Sequence, residues 1–273
     1  MSLTGSRTVP QAPASLPPQR YIDLVEAEAA LLAGTARALP ATARSRSYPG
    51  FDVASLTAHV TSVLAHAASL ARPGTPPEAL PDALPGAGGE PGADALQAAA
   101  ADFLAAARAA DPTAPVPTYP TGALRPLAEV YRSVVTEVAV HRFDAQSAGD
   151  RQDPLAVDLS ADLIDAVFDR WAPLLLADRR AGLYLGGIVA LDASDAGARW
   201  TVAVEEGRLA GRRAPAEAPA DAVLSGPAHR VALALWKRIR RDADGLATSG
   251  DGGLVDRLLR IGYVPDPQTT ATH

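Results

Sequence analysis

Apolar positions in the first half of the chain recur at helical spacing. Residues 20–39 carry Tyr21, Leu24, Val25, Leu31 and Leu32 on one period, which ends near Pro40. Asp52 is a candidate N-cap for a helix to about Arg72, with Val53, Leu56, Val60, Val63, Ala67 and Leu70 as its stripe. Leu96, Phe103 and Leu104 mark a third helix at about 94–110, and a fourth runs from about Leu124 to Ala148. Turn chemistry separates them: 48-YPGF-51, the Pro- and Gly-rich 73–93, and 111-DPTAPVPTYPTG-122. Four amphipathic helices with unequal loops predict a helix bundle over residues 20–150, preceded by a disordered leader at 1–19.

After residue 150 the period changes. A helix at 159–178, with Leu163, Val167, Trp171 and Leu175, precedes strand-like runs at 182–191, 200–209 and 221–226. A helix at 227–240 follows, and 250-GDGGLVDRLLRIGY-263 closes the pattern. Residues 151–265 therefore read as an α/β domain, and the whole chain as α+β.

Polar residues interrupt two of the apolar stripes. In 136-TEVAVHRFDA-145, Val130, Val134, Glu137 and His141 share one face at steps of four, three and four. His59 lies on the stripe of the second helix between Leu56 and Val63. A carboxylate facing a core needs a partner, because an unpaired buried charge is costly. Two imidazoles and one carboxylate from facing helices form a common zinc ligand set with a vacant fourth position. The spacing also admits an ordinary i,i+4 Glu137–His141 pair, a salt bridge from Glu137 to Arg132 or Arg142, and a core role for His59. His66, seven residues after His59, competes as a ligand.

Composition narrows the chemistry. The net charge of −6 comes without a basic stripe, which argues against nucleic acid as a partner. No run of about 18 apolar residues spans a membrane, and the N-terminus lacks a secretory h-region, so a cytoplasmic protein is expected. Cysteine is absent, which excludes a disulfide, a thiolate ligand and a cysteine nucleophile. Any thiol chemistry must use a thiol brought from outside. Lys237 is the single lysine, and with abundant Ala, Gly and Pro this bias suggests a GC-rich genome.

The pairing of 51-FDVASLTAHV-60 with 137-EVAVHRFDA-145 resembles the DinB-like, mycothiol-dependent maleylpyruvate isomerase family of actinobacteria, as do 221-DAVLSGPAHRVALALWKRI-239 and 250-GDGGLVDRLL-259. The resemblance covers nearly the whole chain after about residue 20. It implies a metal-binding DinB-like four-helix bundle followed by a sterol-carrier-like α/β domain, with His59, Glu137 and His141 at the metal-ligand positions. Arg142, Phe143 and Asp144 match the tail of the second motif, Asp144 as a support for the site and Arg142 as its pairing partner. Phe51 stands where the family has tryptophan. The family's catalytic arginine lies in the second domain, where Arg238 is the best match and Arg230 the second; a helix-end cation is the ordinary reading of Arg238.

The expectation that follows is a metal-dependent enzyme using a small thiol similar to mycothiol. It would act as isomerase or S-transferase on a small electrophile bearing a carboxylate, held by the C-terminal arginine. The cofactor would be a divalent metal, with zinc suited to the donor set. A hydrolase using metal-bound water and a non-catalytic small-ligand-binding protein are the alternatives. A monomer is expected, since the two domains can cover each other's apolar faces.

Overall fold

The computed structural model describes residues 16–72, 74, 92–118, 122–177 and 183–261. Most of the leader expected at 1–19 and of the loop at 73–93 lies outside these residues. Helix α1 (Pro18–Ala38) starts two residues before the expected position, with Pro18 in its first turn, where the missing proline N–H leaves no bond unmade. Helix α2 (Val53–Ala71) begins at Asp52, whose side chain accepts from the Ser55 N–H at 2.8 Å while Ser55 Oγ accepts from the Asp52 N–H at 2.9 Å. Helix α3 (Ala93–Ala109) and helix α4 (Leu127–Gln146) complete the bundle.

Helix α4 is its axis, buried on almost every side, polar residues included. Each buried charge on it has a partner, as desolvation demands. Arg142 Nε donates to Glu28 Oε2 of α1 at 2.7 Å, and Arg142 Nη1 to Gln146 Oε1 at 2.8 Å. The expected Arg142–Asp144 pair is therefore not formed: a residue two positions on leaves α4 on another face. Helix α2 is long and apolar enough by composition to cross a membrane, yet 61% of that window is buried within the bundle. Core packing accounts for its hydropathy.

Residues 111–122 hold more than a loop. Strands β1 (Pro115–Thr118) and β2 (Ala123–Pro126) pair antiparallel and lead into α4, which therefore starts at Leu127. Their prolines mask the strand signal, and they are tolerated because a two-stranded ribbon consists of edges.

The helix expected at 159–178 is divided into α5 (Val157–Ala166), a π-helical turn at Val167–Trp171 and α6 (Ala172–Leu175). The sheet that follows has order β5-β4-β3-β6-β7, from β3 (Val189–Ala193), β4 (Ala198–Glu205), β5 (Arg208–Ala214), β6 (Ala222–Gly226) and β7 (Ala247–Gly250). Only β3 and β6 run parallel; helix α7 (Ala228–Leu235) and then β7 follow β6, and α8 (Gly252–Arg260) comes after β7.

Two strand expectations change. The run at 182–191 becomes a strand only from Val189, after Gly186 at φ +89°. The run at 200–209 is a hairpin whose two central residues, Glu206 (φ +50°) and Gly207 (φ +71°), both take positive φ. That geometry suits a two-residue turn, but glutamate in its first position hides it.

The buried apolar residues of bundle and sheet form one continuous cluster. Charged links cross it. Arg132 of α4 donates to Asp162 Oδ2 at 2.9 Å and to Asp169 Oδ2 at 2.8 Å, and Tyr21 Oη donates to Asp162 Oδ1 at 3.2 Å. Arg132 is thus spoken for by the second half and makes no bridge to Glu137.

Candidate metal centre

Helices α2 and α4 pack side by side, and the residues that interrupt their stripes meet. His59 Nε2 lies 3.2 Å from Glu137 Oε2, and His141 Nε2 lies 3.3 Å from the same oxygen. The imidazoles stand edge to face with centroids 4.9 Å apart. One donor atom from each residue falls within 4.8 Å of the other two, a spacing that one ion with ligand bonds of about 2 Å can bridge. Among the described residues this is the one cluster of three His, Asp or Glu side chains so disposed. His66, farther along α2, stands outside it.

The electrostatics fit a cation. Burial alone would raise the Glu137 pKa, but the two imidazoles bonded to it hold its carboxyl well below the usual range. Burial lowers His59, and Glu137 only partly offsets this. Burial also opposes a charge on His141, yet hydrogen bonds to Asp144 and Glu137 raise it to about 9. The triad thus sets an ionised carboxylate and a neutral His59 beside a proton held on His141, the proton whose place a divalent ion would take.

Behind His141 lies a support. Its Nδ1 is 3.1 Å from Asp144 Oδ2, a contact that fixes the ring and leaves Nε2 facing the triad. Asp144 is fully buried and accepts from Ser47 Oγ at 2.7 Å and from Arg238 Nε at 3.1 Å. Arg238 also donates from Nη1 to the Trp236 carbonyl at 2.9 Å and lies 4.5 Å above the Tyr48 ring. Phe51 backs Tyr48, their centroids 4.6 Å apart. Arg238 therefore stands one residue removed from the triad, reaching it through Asp144.

Arg238 gets there because α7 ends before it. The Lys237 N–H donates to the Ala234 carbonyl at 3.0 Å and the Arg238 N–H to the Leu233 carbonyl at 2.8 Å, with Lys237 at φ +59°. This Schellman closure turns the chain back, so Arg238 lies beyond the helix instead of being the helix-end cation that the sequence suggested. Arg230, in the first turn of α7, lies beside Gly245 instead. Sequence reasoning did not single out Ser47 or Tyr48. Both belong to the turn before α2, where Ser47 precedes 48-YPGF-51 and Tyr48 opens it, and that turn was their only signal.

A family model described as the mycothiol maleylpyruvate isomerase N-terminal domain matches residues 25–146. The crystal structure of the mycothiol-dependent maleylpyruvate isomerase is similar over 86% of this chain and 93% of its own, at 18% identity and a TM-score of 0.56. A histidine-to-alanine mutant of that enzyme gives the same identity and coverage with a TM-score of 0.58. No curated protein matches. Residues 25–146 thus match the mycothiol maleylpyruvate isomerase N-terminal domain, and the chain shares its fold along most of its length with the mycothiol-dependent maleylpyruvate isomerase.

Proposed function

We propose that the protein is a metal-dependent enzyme that uses a small thiol such as mycothiol to isomerise a small, carboxylate-bearing electrophile of the maleylpyruvate kind. The observation that carries this reading is the convergence of His59, Glu137 and His141 within 4.8 Å, in the segment that the family match covers. These three residues would hold the ion, zinc being the one their donor types suit. Bound there, the ion would supply the Lewis acidity that gives thiolate at neutral pH.

The chain's own residues do the rest. Asp144 fixes the His141 ring and tautomer, and Arg238 holds Asp144, which would otherwise be a buried charge without a counter-ion. Arg238 thus acts as a positioning residue. The carboxylate of Glu137, ionised throughout the physiological range, keeps one negative charge in the ligand set. Addition of the thiolate to a conjugated double bond permits rotation about the resulting single bond, and elimination returns the thiol. A protein without cysteine offers no competing thiol to this cycle.

His59→Ala and His141→Ala are expected to lose stoichiometric metal while remaining folded, and His66→Ala to retain it, as read by elemental analysis and circular dichroism. Full metal in both of the first two variants would remove the site. Maleylpyruvate turnover by the metal-loaded protein should require mycothiol; equal turnover without thiol would replace the proposal by hydrolytic or thiol-free chemistry.

A further inference from the structure

Asp144 is fully buried, and its two carboxylate oxygens meet three groups. Oδ2 faces His141 Nδ1 at 3.1 Å, and Oδ1 accepts from Ser47 Oγ at 2.7 Å. Arg238 Nε straddles both oxygens at 3.1 and 3.2 Å. Bonded almost equally to the two, Arg238 does not choose between them. Ser47 does: its hydroxyl proton pins Oδ1, which leaves Oδ2 to the imidazole.

A turn residue can aim a hydroxyl only if its own backbone is held. The anchor is Ser147, 1% exposed at the end of α4 and three residues after Asp144. Its hydroxyl donates to the Asp144 carbonyl at 2.6 Å. The Arg46 N–H at 2.9 Å and the Ser47 N–H at 3.0 Å donate to it in turn, which uses both of its lone pairs. The Ser45 and Ser47 hydroxyls, each 3.0 Å from Ser147 Oγ, complete the cluster. With those lone pairs taken, the charged Asp144 oxygen is the better acceptor for the Ser47 proton, and its contact is the shorter one. Ser45 Oγ accepts from the Tyr48 N–H at 2.9 Å, which sets the Tyr48 ring 5.7 Å from that of His141.

We propose that Ser47, anchored by Ser147, is a positioning residue of the metal centre: it assigns the two Asp144 oxygens and so keeps His141 Nε2 turned toward His59 and Glu137. The same turn runs into the Asp52 cap of α2, the helix that carries His59. The clamp on Ser147 therefore ties the start of one ligand helix to the end of the other. This inference rests on the metal reading above for its ion, and on the hydrogen bonds alone for its geometry.

The test titrates Zn2+ against a chelator in wild type, Ser47→Ala and Ser47→Thr, and repeats Ser47→Ala in an Asp144→Ala background. Ser47→Ala should weaken Zn2+ binding about tenfold, the low end for loss of an outer partner, and Ser47→Thr, which keeps the hydroxyl, should stay within about threefold of wild type. In the Asp144→Ala background Ser47→Ala should cause no further loss, since both changes break one relay. Unchanged affinity in Ser47→Ala, no rescue by threonine, or an equal loss in both backgrounds would overturn the assignment.

Asp144→Ala strips Arg238 of its carboxylate and can fail to fold, so the single Ser47 variants are also read without metal. In wild type the His141 Nδ1–H, bonded to Asp144, should give a downfield, slowly exchanging proton resonance, assigned by its loss in His141→Ala. Ser47→Ala should make it exchange with water several-fold faster, and Ser47→Thr should not. A resonance equally protected in Ser47→Ala, or absent from wild type, would overturn the role of Ser47. Should wild type bind no Zn2+, the metal reading fails and this resonance alone decides the positioning role.

Discussion

His141 shows how one side chain can answer to two masters. Without metal, Glu137 and Asp144 hold its proton to about pH 9, above the ordinary value near 6.5. The sign of the linkage is that of a raised pKa: the proton stabilises the metal-free fold fully below about pH 6.5, and this is lost as pH rises through about 9. A metal held by the proposed triad would have to expel that proton. Apparent affinity should therefore rise about tenfold per pH unit between pH 7 and 9 and then level off, with about one proton released per ion in calorimetry across buffers. A flat affinity over that range would show that His141 is already neutral. Asp144→Ala should weaken metal binding by about 10- to 100-fold through the lost support, read by chelator competition.

At the scale of elements, the helices were legible and the turns were not. Apolar stripes placed α1 to α4 within a few residues because each buries one face against the others, and the Asp52 cap set the start of α2. The π turn, the Glu206–Gly207 reversal and the break at Lys237 escaped, because in each the tertiary surroundings override local preference. Lys237 is a clear case. A left-handed lysine costs about 1 kcal/mol more than glycine there, and the strain persists because the turn delivers Arg238 to Asp144. Lys237→Gly should raise stability by about 1 kcal/mol in urea titration, with metal content unchanged. Destabilisation would mean that the lysine side chain carries a role of its own.

The whole molecule behaves as one unit in its contacts. The triad belongs entirely to the bundle, so periodicity could find it; its supports come from the other half, where no spacing rule connects Arg238 with Asp144 across 94 residues. Arg132 with Asp162 and Asp169, and Arg20 with Asp158 at 2.7 Å, tie the halves at further points. Calorimetry should give a single unfolding transition that metal shifts upward as a whole, by about 2.7 kcal/mol at a hundredfold excess over Kd. Two resolved transitions, with only one metal-sensitive, would show that the halves unfold separately. Glu28→Gln, by contrast, acts within the bundle: it takes the counter-ion from buried Arg142, which keeps its bonds to Gln146 and the Asp153 carbonyl, and should cost about 3–5 kcal/mol.

The π-helical turn carries a consequence for how such a protein could tolerate a change in length. A π turn holds one residue more than an α turn, so removing a single codon from 167–171 would let the segment relax to ordinary helix. The flanking helices α5 and α6 would keep their register, and only the side chains inside the turn would be re-aimed. One mutational step could thus remodel the seam that Phe168 makes with Gly211 and Trp171 with Trp236, while His59, Glu137 and His141 kept their places.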